Sequence, residues 1–187
     1  MSLKLYLSCF LMILTPVSTR RPFDLVLDEL KCLGYGESVI EAYCNQYQKS
    51  NKTYVDAALI FSKQIDTFEL RGLIEIPRPN EEPMKLINIT VDGCKFLVEA
   101  ENDNILKVIL QMMRKSGNLP KKCPLLANDR FYLSKMFVDP DLLPGYTPEL
   151  SFVLNIDVLV QNKLTYKIFI RGRVEAKKSK KRIFKVK

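Results

Sequence analysis

The chain of 187 residues contains no histidine. Ser–His–Asp and Cys–His nucleophile systems and histidine-ligated metals all require an imidazole, so these classes are excluded. Closely paired CxxC ligands are also missing. Cys9, Cys32, Cys44, Cys94 and Cys123 are far apart, whereas the cysteines of a zinc site usually arrive in near neighbours. No glycine-rich phosphate loop occurs, because "LGYGES" at 33–38 has two glycines and reads as a hairpin turn. The carboxylates that cluster are Glu81 with Glu82, Glu99 with Glu101, and Asp139 with Asp141. A glycosidase needs two acids facing each other across a cleft, and neighbours of this kind in proline-rich turns are solvated surface. The expectation is a protein without catalytic residues, metal or cofactor.

Long hydrophobic runs are equally scarce. One apolar stretch, Leu5 to Leu14, follows Lys4 and precedes small or polar residues before Arg20. Basic start, short apolar centre and small-residue cleavage zone are the layout of a secretory signal peptide. The run is shorter than the roughly 20 residues that span a bilayer, and no later segment is apolar enough. Residues 1–19 are therefore expected to be a signal peptide, and the mature chain to be secreted and not membrane-spanning. Removing them leaves Cys32, Cys44, Cys94 and Cys123, an even number in an oxidising compartment, which reads as two disulfides. Four cysteines allow three pairings, and spacing does not choose among them.

The net charge of +8 does not belong to the body of the protein. The last eleven residues, "KKSKKRIFKVK", hold seven Lys/Arg and no acid; setting these and Lys4 aside leaves 21 basic residues against 21 acidic ones. Residues 20–176 are thus neutral, and nucleic acid is a poor partner for an exported chain. Residues 177–187 read as a disordered, solvated tail; the functional version of that reading is attraction to a receptor or an anionic surface.

Residues 20–176 suit one domain with one core. In 104–116, Ile105, Leu106, Ile109, Leu110, Met112 and Met113 share one broad face, which predicts an amphipathic helix. Asn102 or Asp103 offers its N-cap, Arg114 and Lys115 occupy its last turn, and Gly117 offers a C′ position. Most of the remainder alternates with period two. Phe68 to Ile76 is β-rich. "MKLINITVDGCKFL" sets Leu86, Asn88 and Thr90 on one face against Ile87, Ile89 and Val91 on the other. "LSFVLNIDVLV" aligns Phe152, Leu154, Ile156, Val158 and Val160, and "LTYKIFIRGRVEA" aligns Leu164, Tyr166, Ile168 and Ile170. Residues 54–62 lean to strand, while Pro140, Pro144 and Pro148 mark a stiff connector. The sum is a mainly β, antiparallel two-sheet β-sandwich with one amphipathic helix. A lone helix must lay its apolar face on sheet edges or over the mouth between sheets. If fixed at both ends, it can roof a loosely filled space.

Two sequons, Asn51-Lys52-Thr53 and Asn88-Ile89-Thr90, are glycosylation candidates. Use of Asn88 would put Leu86 and Thr90 outside and Ile87, Ile89 and Val91 inside. The pocket candidates are Ile105, Ile109, Leu110 and Met113 on the helix, with Phe152, Leu154, Ile156 and Val158 on a strand.

Several stretches resemble a large insect family of secreted proteins of unknown function: "LINITVDGCKFL", "NDNILKVILQMM", "SGNLPKKCPL", "FYLSKMFVDPDLLPGYTPELSFVLNI" and a terminal "RGRVE". That family is distantly similar to the ML (lipid-recognition) superfamily, which includes ganglioside activators. The resemblance covers Leu86 to Glu175 well; from Phe23 to Ile76 mainly Cys32 and Cys44 correspond. It implies an immunoglobulin-like sandwich whose sheets part to hold a hydrophobic ligand, with Cys94 bonded to Cys123 and Cys32 to Cys44. The basic tail is outside its pattern. The expected function is a secreted, non-enzymatic binder of a small hydrophobic ligand, lipid or pheromone-like. The alternative is a secreted protein-interaction module with a filled core, acting through its surface and tail.

Overall fold

The computed structural model describes residues 23–50, 52–99, 104–137, 139 and 147–177. The expected signal peptide, Asn51, Pro140, Pro144 and the tail from 178 onward lie outside these residues, as do the side chains of Asn104 and Ile105.

Among the described residues eight strands form two antiparallel sheets, in keeping with the period-two pattern. They are β1 (Phe23–Gly34), β2 (Val39–Lys49), β3 (Lys52–Phe61), β4 (Glu69–Arg78), β5 (Glu81–Asp92), β6 (Arg130–Phe137), β7 (Leu150–Val160) and β8 (Lys163–Ala176). The larger sheet runs β1-β8-β7-β4-β5 and the smaller β2-β3-β6. Two helices, α1 (Gly93–Glu99) and α2 (Asn104–Ser116), separate β5 from β6. Among the described residues no helix is long and apolar enough to cross a membrane.

The reading of 33–38 as a hairpin turn needs correction. The turn joins β1 and β2, but these strands belong to different sheets. Gly36, with φ of 70°, takes the left-handed conformation that glycine adopts without penalty. The chain crosses from one layer to the other there, and Cys32–Cys44 (Cα–Cα 5.7 Å) fastens the two layers along that side. Among the described residues no disulfide joins β5 to β6, and α1 and α2 lie between them in the chain.

A second correction concerns "DGCKFL". The strand ends at Asp92, whose Oδ1 accepts a hydrogen bond from the Lys95 backbone N–H at 3.0 Å. That is N-capping geometry, and it turns the chain into α1 instead of extending β5. Gly117 also acts differently from the expected left-handed C-cap, because its φ is not positive. It bridges to Leu133 on β6, and a Cβ there would collide with the Tyr132 carbonyl. Asn118 continues the contact: its side chain donates to the Arg130 carbonyl and accepts from the Tyr132 N–H. The free edge of β6 is thereby covered, which blunts a site of unwanted strand pairing.

The packed centre is off to one side. Phe61, Ile65, Leu97, Leu110 and Leu125 form a buried cluster, each side chain contributing roughly 1.5–3 kcal/mol of hydrophobic stabilisation. Ile65 and Leu125 exchange two backbone hydrogen bonds of 2.9 Å, so the segments before β4 and after α2 meet there. Cys94–Cys123 (Cα–Cα 5.5 Å) ties α1 to the second of these segments. By the chain-entropy argument a loop of this length is worth about 3.6 kcal/mol.

Candidate ligand-binding site

Beside that cluster lies a cavity of about 350 Å³. Its geometry follows from register. On β4, Leu70, Gly72 and Ile74 point to one face. Across one edge they pair with Val158, Ile156 and Leu154 of β7, and across the other with Val91, Ile89 and Ile87 of β5. The result is three rows of aliphatic side chains, all lining the cavity. Val158 and Ile156 continue to Tyr166 and Ile168 of β8, which also line it. The middle row has a gap, because Gly72 has no side chain. Glycine inside a strand weakens it and often marks a close approach; here Ile89 makes that approach, its Cγ1 3.3 Å from where a Cβ would stand.

Opposite this floor stand Leu59 and Phe61 of β3 and Phe131 of β6. Phe96 and Leu97 of α1, with Leu106, Ile109 and Met113 of α2, close one side. Arg114 donates a hydrogen bond of 2.5 Å to the Leu97 carbonyl, so the last turn of α2 is joined to α1. Three residues mark where the hollow meets solvent: Ile87 (37% exposed) and Ile89 (39%) on β5, and Ile109 (38%) on α2. The mouth therefore opens between the β5 edge and α2.

Among the described residues the walls have no charged side chain, and Tyr166 is their single polar one. Burial pushes the Tyr166 hydroxyl pKa up to about 12, so it is uncharged at neutral pH. Such a space can exclude water and accept apolar surface. A second, open concavity of about 290 Å³ lies near the β7–β8 turn and contains Glu69 and Asp92. Both carboxylates are engaged, Glu69 with Arg71 at 2.6 Å and Asp92 as the cap of α1. Among the described residues no three His, Cys, Asp or Glu groups gather as a metal site.

Of the candidates read from sequence, Ile109, Met113, Leu154, Ile156 and Val158 line the cavity. Leu110 does not: it is 3% exposed within the packed cluster, one helical position away from the cavity wall. Phe152 does not either. It pairs with Gly172 on β8, and its ring lies over that glycine, further along the sheet. Cys32–Cys44 and Cys94–Cys123 are both bonded. Asn88 is exposed on β5, with Leu86 and Thr90 also exposed and Ile87, Ile89 and Val91 turned to the cavity. Gly72, Leu70 and Ile74 were not among the candidates, although the alternation in "LRGLI" carried the signal.

Fold and hollow together define a class: a disulfide-bonded, antiparallel two-sheet β-sandwich with an apolar internal cavity. An uncharacterised family, described as protein of unknown function (DUF1091), matches residues 70–154. That span begins at Leu70 and ends at Leu154, both on the cavity wall. No curated protein matches the chain.

Proposed function

We propose that the protein is an exported, non-enzymatic carrier that holds a small hydrophobic ligand between its sheets. The observation that carries this reading is the apolar cavity, whose 350 Å³ falls within the ~300–1,000 Å³ range of small-molecule sites. Two disulfides fit an extracellular protein, and the signal-like start of the sequence supports export. The similarity of the cysteine framework to the ML superfamily supports a lipid-like guest, as an analogy of fold. Burying each methylene contributes about 0.8 kcal/mol, so affinity needs no particular polar side chain. The cavity favours this carrier over an interaction module with a filled core. Glycosylation at Asn88 is compatible with its exposure.

Native mass spectrometry of protein from secreting cells tests the proposal. A co-purifying apolar molecule is the expected result. A bare chain that also ignores a panel of apolar probes would refute it.

A further inference from the structure

We infer that the guest is a single hydrocarbon chain of about fourteen carbons, seated over the floor that β4 centres, with any charged end left at the mouth; this rests on the carrier reading. Size comes first. An apolar protein cavity of about 150 Å³ accepts one benzene, roughly 25 Å³ per carbon. At that ratio 350 Å³ holds about fourteen carbons. A sterol, or a lipid with two long tails, brings about twice that and does not fit.

Shape points the same way. The hollow follows three alternate residues of β4, Leu70, Gly72 and Ile74, a length of about 14 Å at strand spacing. The floor also runs across β5, β4, β7 and β8, so the guest lies flat over it, and the volume leaves no room for a second tail. At mid-length Gly72 has no side chain, and Ile89 leans over it with its Cγ1 3.3 Å from where a Cβ would stand, so a larger residue there would push Ile89 toward the guest. Among the described residues the walls offer no counter-charge, and an ionised group carried inside would lose its water without a partner. The charged end of an amphiphile must therefore remain between Ile87, Ile89 and Ile109, where the cavity meets solvent.

The test is a titration of full-length, oxidised protein with straight-chain primary alcohols of increasing length, read by displacement of a fluorescent apolar probe. Affinity is expected to rise about fourfold per methylene, then to level off near fourteen carbons. Cholesterol and a two-tailed phosphatidylcholine should not displace the probe. In Gly72→Leu, four added carbons should move the break about four carbons shorter. Should that variant fold poorly, Ile156→Phe should move it about three. If no alcohol of any length binds, the carrier reading itself is wrong. If alcohols bind but affinity climbs without a break, or the two-tailed lipid displaces the probe equally, only the single-chain inference falls. A break unmoved in a folded variant would show that the guest sits elsewhere, and would also overturn it.

Discussion

Ile109 and Leu110 are consecutive residues on α2 with different surroundings, and truncating each to alanine measures whether the space beneath the helix is empty. Leu110 is 3% exposed and packs with Phe61, Ile65, Leu97 and Leu125. Leu110→Ala removes packed atoms and leaves a void, for which the expected cost is about 2–5 kcal/mol. Ile109 faces the cavity and is 38% exposed. Its three lost carbons carry about 0.8 kcal/mol each when fully buried. Scaled for exposure that is about 1.5 kcal/mol, reduced by up to about 0.7 kcal/mol because alanine is the better helix former. Ile109→Ala should therefore cost about 1 kcal/mol, with little added cavity penalty because the neighbouring space is already open. Urea unfolding of the oxidised, ligand-free protein provides the assay, with the midpoint shifting at constant m-value. Equal losses of several kcal/mol at both positions would mean that the interior beneath α2 is filled. The cavity argument would then be wrong.

Other outcomes follow from the same geometry. Met113→Lys, at the cavity wall, should weaken uptake of an apolar fluorescent probe at least tenfold while the protein remains folded; unchanged uptake would remove α2 from the pocket. Removing Cys94–Cys123 as a double serine variant should cost about 3.6 kcal/mol, against about 2.9 for the shorter Cys32–Cys44 loop, by urea unfolding. The Tyr166 hydroxyl is raised from 10.0 to about 12 in the folded protein. Its contribution is intact below pH 10, and is lost as pH rises toward 12, because the unfolded chain ionises first. The loss should reach about 2–3 kcal/mol, and Tyr166→Phe should flatten this part of the stability–pH curve. Glu41 is held below the usual carboxylate range by its hydrogen bond to Arg130. The stabilisation from this pair is present above pH 4.5 and should fade as acidification protonates Glu41, an effect that Glu41→Gln should abolish in the same titration.

Where a residue pattern is local and regular, its structure was legible. The β-rich composition of 68–76 and the alternation in 150–160 and 164–170 identified β4, β7 and β8, and the phase of "LINITV" correctly separated Ile87, Ile89 and Val91 from Leu86, Asn88 and Thr90. The spacing of Leu106, Ile109, Leu110 and Met113 identified α2. Bulges blurred the rest: register shifts between Leu27 and Glu29 in β1, and opposite Lys135 in β6, break the two-residue period. α1 was hidden because "ITVDGCKFL" continues an apolar pattern, and only the Asp92 cap marks the change.

The sequence by itself determined a mainly β chain with one strong amphipathic helix and no histidine chemistry. Those properties reside in residue type and short-range periodicity. The tertiary structure decided which apolar residues fill the interior and which surround a vacancy. Leu110 and Ile109 are indistinguishable as hydrophobic helix residues, as are Phe152 and Ile156 as inward strand residues. Their roles diverge only when β4 aligns Gly72 between Ile156 and Ile89, and α2 settles with one flank on a packed cluster and the other over open space. Volume between sheets is a difference between long-range positions, and no local pattern encodes it.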